Sequence, residues 1–290
     1  MVSLLRLSQM LALSAAVLTL SVQAKAQDAA PAADSDWALT VLPERRATLA
    51  VVDFSSGISI AARCIDGTYD VILAGLPAAP GRATTRELAL AVGEAGELQT
   101  TVWSVAEDRT SAFSRIPAMV ARELAKGGQL QIVVPAVEPG GRRTRYLSSL
   151  TPSSRAIEQT LTACGRALVD PRNSRYDGNG QDGLPSPLEW VRMPQPEFPE
   201  SVRGKIPTEG YVVLSCVTGA NGSITNCQTE SEAPSGFRLT ESVLDSLGPA
   251  RLKLSEAAVE SGAKLEGRLF VFTVNFVLRG REPFGPRPPR

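Results

Sequence analysis

Histidine is absent from the 290 residues of this chain. Its absence excludes Ser-His-Asp and Cys-His catalysis, zinc sites built on histidine, and the usual proton shuttle near neutral pH. Neither sign of charge predominates, because 30 basic residues stand against 30 acidic ones. This balance argues against nucleic acid as the main partner. We predict a protein that is not an enzyme, with no catalytic residue, no metal site and no cofactor.

Long apolar runs are also lacking. The longest, Met10–Ser21, falls short of the roughly 20 residues that a membrane-spanning helix needs. Arg6 precedes this run and the small-residue sequence Ala24-Lys25-Ala26 follows it, which is typical of a secretory signal peptide over residues 1–26. An Ala/Pro/Asp linker is predicted over residues 27–35. Cleavage would leave 28 basic and 30 acidic residues and no stable membrane span; the alternative is an uncleaved anchor.

Cysteine is scarce, but its number is even: Cys64, Cys164, Cys216 and Cys227. In an exported chain, four cysteines indicate two disulfides, with three pairings open. Four buried free thiols are the alternative. Together with the signal peptide, the cysteines predict a protein of the periplasm.

Hairpin geometry favours one of the three pairings. Asn221-Gly222 is a strong hairpin signal, and the flanking segments, Tyr211–Val217 and Ile224–Glu230, are strand-like. With a two-residue or four-residue loop centred there, Cys216 faces Cys227 across the two strands. A three-residue loop with a bulge would shift the register and separate them. If Cys216 and Cys227 pair, the remaining two cysteines pair inside the first half of the chain.

The remainder of the chain divides by composition. Residues 36–169 carry short strands and two helices without strict alternation, which predicts an α+β domain of unknown role. The second helix is predicted over Thr151–Leu168. Residues 170–187, rich in Gly, Asn, Asp, Pro and Ser, are predicted to be a flexible linker. A second domain is predicted over residues 188–280 and a basic, proline-rich tail over residues 281–290.

The second domain is predicted to contain two strands, a helix and a final strand. Residues of the final strand alternate between an apolar face and a half-polar face, and the half-polar face carries Val271, Thr273, Asn275 and Val277. We expect an antiparallel sheet with one face packed in a core under a helix and the other face exposed.

Several residues of this domain follow one another in an order that resembles the C-terminal domain of the TonB family. They are Pro196 and Pro199, Gly210, Asn221-Gly222, Ser235-Gly236-Phe237 and the ending Val274-Asn275-Phe276-Val277-Leu278. The resemblance covers roughly a third of the chain. Arg251 is followed by Leu252 and Lys253, without the proline that the family usually has there. The family's anchor with its coupling histidine has no counterpart.

The resemblance implies a protein partner in the cell envelope, and an outer-membrane receptor is one such partner. Members of the family engage a receptor segment by adding it as a strand to a sheet edge. The corresponding edge here is the last strand, Arg268–Leu278, with Val271, Thr273, Asn275 and Val277 as partner-binding residues. A purely structural strand is the alternative. We therefore expect a secreted, non-enzymatic binding or envelope-assembly protein.

Two other functions stay open at this point. One is a divergent TonB-type energy transducer for outer-membrane transport, held in the membrane by an uncleaved signal anchor. The other is an envelope hydrolase that uses carboxylates of the first domain, for which the candidates are Asp53, Asp66, Asp70 and Glu87. Nothing in the spacing of these four acids singles out a pair.

Overall fold

The computed structural model describes residues 37–93, 96–136, 140–152, 154–172, 176–179, 184–185, 187–198 and 209–277. The predicted signal peptide, the linker over residues 27–35 and the tail over residues 281–290 lie outside these ranges. The α+β class is confirmed, with mostly antiparallel sheets. No described helix is both long and apolar enough to cross a membrane.

The N-terminal region, residues 37–172, is built on a nine-stranded sheet. Its strands are β1 (Ala38–Leu42), β2 (Ala47–Asp53), β3 (Ser59–Ile65), β4 (Thr68–Ala74), β5 (Thr85–Val92), β6 (Gln99–Val105), β7 (Ala112–Ser114), β8 (Gly128–Val134) and β9 (Thr144–Leu150). They lie in the order β1-β2-β3-β4-β7-β6-β5-β8-β9, and all the described pairings in this sheet are antiparallel.

Two helices, α1 (Pro117–Ala125) and α2 (Ser154–Ala163), contribute to the core of this region. Leu124 of α1 and Ile157 of α2 are fully buried in it, together with Trp103 of β6. The α2 helix is shorter than predicted and ends at Ala163. Gly165, at φ 67°, reverses the chain there, and the Arg166 N–H donates to the Leu161 carbonyl at 2.9 Å. This is a Schellman stop, which glycine favours because it has no Cβ.

The C-terminal region, residues 176–277, holds two smaller sheets. Its strands and helices are β10 (Tyr176–Asn179), β11 (Leu188–Arg192), β12 (Glu209–Thr218), β13 (Ile224–Ala233), α3 (Leu239–Ser246), β14 (Arg251–Leu254), α4 (Glu256–Glu260) and β15 (Leu269–Val277). The four-stranded sheet has the order β10-β15-β12-β13, and β11 pairs with β14. The predicted succession of two strands, a helix and a strand is present as β12, β13, α3 and β15.

One face of the four-stranded sheet packs in a core with α3. Leu214 of β12, Val243 of α3 and Phe270 of β15 are fully buried in this core. Trp190 lies edge-on to Phe272 with ring centroids 5.6 Å apart, and Phe198 lies edge-on to Phe276 at 5.4 Å. The alternation of apolar residues along β15 therefore corresponds to its buried face.

The β12–β13 loop explains why Gly222 is needed. This residue has φ 75°, and a Cβ added to it would lie 2.0 Å from the Leu252 carbonyl oxygen. The Leu252 N–H donates to the Gly222 carbonyl at 2.8 Å, which attaches β14 to the hairpin. Both the left-handed backbone and the close approach restrict the position to glycine.

Candidate functional site

The outer side of β15 is partly open. β12 pairs with the whole of β15 on one side, whereas β10 pairs in parallel on the other side only at Leu269 and Val271. From Phe272 to Val277 no described strand pairs with this outer side, which we call the open edge. The predicted edge strand is thus an inner strand at its start and an edge strand over its last six described residues.

Backbone alternation shows which groups the open edge presents. The Thr218 N–H donates to the Arg268 carbonyl at 3.0 Å, and the Arg268 N–H donates to the Thr218 hydroxyl at 3.1 Å. The backbone groups of Arg268 therefore face β12. In an antiparallel ladder every second residue repeats this orientation, and the residues between them turn their N–H and C=O groups the other way. The backbone groups of Thr273, Asn275 and Val277 therefore point towards the open edge.

The side chains predicted to bind a partner differ in exposure. Asn275 and Val277 are exposed and Thr273 is half-buried. Val271, however, is only 1% exposed and packs with Ile116 and Val213 in a small cluster between the two regions. The expected exposure of Val271 is wrong, because the N-terminal region lies over this part of the sheet. Partner binding by these residues stays a prediction.

The N-terminal region covers the face that the sequence suggested would be open and half polar. The hydroxyls of Ser104 and Tyr211 lie 2.8 Å apart, and the Arg115 guanidinium carbon lies 3.9 Å from the Tyr211 ring centroid. The Ser231 hydroxyl donates to the Arg115 carbonyl at 2.7 Å. Contacts from both faces therefore hold the four-stranded sheet, with α3 on one and the N-terminal region on the other.

A buried arginine joins the two regions. The Arg172 guanidinium donates to both carboxylate oxygens of Asp170, at 3.0 and 2.8 Å, and to the carbonyls of Ser215 and Asn226, each at 3.0 Å. Its side chain is 3% exposed. Burial alone would raise the pKa of Asp170, but hydrogen bonds from Arg172 and the charges of Arg172 and Arg122 bring it below its usual value. The Asp170 carboxylate is therefore held ionised.

Two bulges in β13 supply further acceptors for arginine. Asn226, at φ 49°, is the first extra residue, and its carbonyl binds Arg172. Glu230 is the second, and its buried carboxylate accepts a hydrogen bond from the Ser215 hydroxyl at 2.6 Å and pairs with Arg166 at 3.4 Å. Bulges redirect side chains out of a regular ladder. We call Arg122, Arg166, Asp170, Arg172 and Glu230 the arginine network.

Sequence reasoning missed this network. Asp170 and Arg172 fall in the segment predicted to be a flexible linker, yet both are buried. The segment Asp170-Pro171-Arg172 has opposite charges two residues apart. The neighbouring sequence does not indicate that these two side chains are buried against β12 and β13. The acceptors Ser215, Asn226 and Glu230 come from residues more than 40 positions away, which a local pattern does not reveal.

Both disulfides have the predicted pairing. Cys64 of β3 is bonded to Cys164 at the end of α2, and Cys216 is bonded to Cys227, with Cα atoms 5.6 and 4.1 Å apart. The loop has three residues, because the Gly219 N–H donates to the Ser223 carbonyl across it. Such a loop was expected to separate Cys216 from Cys227. The bulge at Asn226 shifts the register back by one residue and brings them together.

The acids considered for a hydrolase are mostly engaged locally. Asp53 accepts from the Ser59 hydroxyl at 2.5 Å, Asp70 pairs with Arg63 at 3.0 Å, and Asp66 pairs with Arg46. Asp53 and Asp66 lie near opposite ends of β3, a seven-residue strand, so their backbones are on the order of 20 Å apart. Paired catalytic carboxylates of glycosidases lie about 5 to 9.5 Å apart. These two acids therefore do not form such a pair.

Comparisons with known proteins give a structural likeness. No family model matches the chain, and no curated protein matches it. Among solved structures, the solution NMR structure of the Pseudomonas aeruginosa TonB CTD is similar, with 23% sequence identity and a TM-score of 0.28. The match covers 36% of this chain and 97% of that chain.

Proposed function

We propose that this chain is a non-enzymatic binding protein of the cell envelope that takes up an extended segment of a partner protein as an added strand along the open edge. The observation that carries the proposal is the six-residue stretch Phe272–Val277, which has no described strand on its outer side. Six residues of strand span about 20 Å, so the partner segment would have about six residues.

Main-chain hydrogen bonds would supply most of the affinity. Thr273, Asn275 and Val277 each offer one N–H donor and one C=O acceptor towards the partner. Each hydrogen bond contributes about 0.5 to 1.5 kcal/mol net in water. Several such bonds made together give a moderate affinity that does not depend on the partner's exact sequence.

Side chains beside the open edge would select the partner. On the side of α3, an added strand would extend the core that contains Phe272 and Phe276. On the other side it would meet the half-buried Thr273 and the exposed Asn275. Because strand residues alternate between two faces, a partner segment with alternating apolar and polar residues fits best.

The rest of the protein makes the open edge rigid. Both faces of the sheet are packed, and the arginine network and the Cys216–Cys227 disulfide hold β12 and β13 in register. A rigid edge loses little conformational entropy when a strand is added. Two disulfides also fit an oxidising compartment, and with the predicted signal peptide they support a location in the periplasm.

Site-specific photocrosslinking in native cells tests the proposal. A photoreactive amino acid replaces Asn275 at the open edge, and in a matched control it replaces Thr225, an exposed residue on β13. We expect a discrete adduct with an envelope protein from position 275 and none from position 225. Peptide mapping of the adduct should locate the crosslink in an extended segment of the partner.

The same experiment can contradict the proposal. Equal adducts from positions 275 and 225 would show that capture does not depend on the open edge. Adducts from neither position, with the protein present at its normal level in the envelope, would also count against strand addition. If the crosslink instead lies in a folded domain of the partner, the partner docks on the surface and does not add a strand.

A further inference from the structure

A cavity of about 220 Å³ lies in the N-terminal region, beside Leu269 of the C-terminal region. Much of its wall is apolar and comes from β5, from α1 with the residue before it, and from the first residue of β15. The apolar wall includes Leu90, Val92, Ile116, Met119, Val120 and Leu269. A cavity of about 150 Å³ with such a lining is large enough to bind benzene. The space therefore admits a small ring or a short branched chain together with one polar group.

Arg122 and Asp170 form the charged part of the wall. The Arg122 guanidinium donates to Asp170 at 3.1 Å and to the Ala167 carbonyl at 3.1 Å. A guanidinium has five N–H donors, so three of them have no acceptor among the described residues. The side chains of Arg122 and Asp170 are only 13% and 4% exposed.

The arginine network as a whole carries an excess positive charge. Three arginines, Arg122, Arg166 and Arg172, face two carboxylates, Asp170 and Glu230, and none of the five side chains is more than 13% exposed. An uncompensated charge in such a place is costly. Burial lowers the pKa of Arg122, and the charges of Arg166 and Arg172 lower it further against the opposing effect of the two acids.

Two acids at the cavity are less important for its charge. Glu123 is exposed and pairs with Lys126 at 2.7 Å, which neutralises it. Glu97 is exposed to solvent, where water screens its charge. No Arg122 atom is among the described buried polar atoms that lack a hydrogen-bond partner. Its remaining N–H donors therefore reach solvent, where a ligand oxygen can replace water.

We propose that this cavity binds a small organic anion with an apolar body, such as an aromatic or branched carboxylate. The carboxylate would accept hydrogen bonds from Arg122 and supply the missing negative charge of the arginine network. The apolar body would occupy the space beside Leu90, Met119 and Val120. Because the wall includes Leu269, the anion would contact both regions of the protein. This ligand site is independent of strand addition at the open edge.

Calorimetric titration of the full mature chain with three ring compounds of similar size tests the proposal. The probes are benzoate, the neutral benzyl alcohol and the cationic benzylamine. We expect benzoate to bind at least about tenfold more tightly than benzyl alcohol, a difference of about 1.4 kcal/mol, and benzylamine to bind most weakly. Equal affinities for benzoate and benzyl alcohol would overturn the role of Arg122.

Variants assign the binding to this cavity. Arg122→Gln should remove the preference for benzoate over benzyl alcohol, and the control Arg155→Gln, on an exposed position of α2, should keep it. Leu90→Trp should fill the cavity and abolish binding of both compounds, with near-ultraviolet circular dichroism confirming that the variant is folded. Unchanged benzoate binding in Leu90→Trp would place the anion elsewhere and overturn the proposal, even if Arg122→Gln fails to fold.

Discussion

The edge of the four-stranded sheet at β13 and the open edge at β15 differ in how their backbone groups are bonded. On β13, two bulges interrupt the ladder, Arg166 donates to the Thr229 carbonyl, and Arg172 donates to the Asn226 carbonyl. On β15, the ladder with β12 is regular, and no described group bonds to the outer backbone from Phe272 to Val277. Folded proteins protect edges against unwanted pairing. The strand addition that we propose would therefore occur at the regular, unpaired edge.

Removing the central arginine should have the largest effect, because it breaks the protection of β13. Arg172→Met deletes the guanidinium hydrogen bonds to Asp170, Ser215 and Asn226. Arg122 is then the one described side chain that still pairs with the buried Asp170 carboxylate. Breaking a buried ion pair in this way costs about 3 to 5 kcal/mol. Urea unfolding of the mature chain should show a loss of this size in the free energy of unfolding.

Lys126→Met is the matched control for Arg172→Met. Its ion pair with Glu123 lies on the surface, with the two side chains 65% and 56% exposed, and such pairs contribute about 0 to 1 kcal/mol. If both substitutions have equally small effects, the arginine network does not stabilise the contact between the regions, and the contrast between the two edges loses its physical basis.

Opening the disulfide of the hairpin should have the next largest effect. Cys216 and Cys227 are 11 positions apart, and in the chain-entropy model the crosslink contributes about 3 kcal/mol. The double variant Cys216→Ala/Cys227→Ala should lose about that amount in urea unfolding. Wild-type protein under reducing conditions should lose more, because the Cys64–Cys164 disulfide opens there as well. No loss in either case would show that the bulges and the arginine network hold the β12–β13 register without the disulfide.

Local patterns in the sequence predicted the regular edge better than the protected one. Alternation along β15 and the turn signal Asn221-Gly222 depend on neighbouring residues, and both correspond to the structure. The bulge at Asn226 has no such signal, because it depends on Arg172, 54 residues earlier in the chain. The pairing of Cys216 with Cys227 was therefore predicted correctly, although the length assumed for the loop between β12 and β13 was wrong.

Local sequence patterns also fail to predict which face of the sheet is covered. The half-polar face of β15 was expected to be exposed, since Thr273 and Asn275 interrupt its apolar residues. Val271 is nevertheless buried by Ile116 of the N-terminal region, a contact between residues more than 150 positions apart. A pattern of period two identifies the two faces of a strand, but it does not show what covers each face.

Protonation of Asp170 should reduce the free energy of unfolding by less than the loss of Arg172 or of the hairpin disulfide. Its pKa in the folded protein is below the value of about 3.9 found in unfolded chains. The ionised carboxylate therefore stabilises the fold above about pH 4, and this contribution is lost as the pH falls through the folded-state pKa. Between pH 5 and pH 2.5, the urea midpoint of wild type should fall more steeply than that of Asp170→Asn. The exposed Asp245→Asn should follow wild type; if it follows Asp170→Asn instead, the effect is not specific to the network.

A proline at the open edge should change stability least and partner capture most. The N–H of Asn275 points away from β12, so Asn275→Pro removes one outward donor and leaves the β12–β15 ladder intact. We expect a stability change within about 1 kcal/mol and a loss of at least about tenfold in affinity for the crosslinked partner segment. Asn275→Ala is the control, because it removes the same side chain but keeps the N–H, and it should retain capture. If Asn275→Ala and Asn275→Pro weaken capture equally, the side chain rather than the backbone binds the partner, and the open edge is an ordinary contact surface.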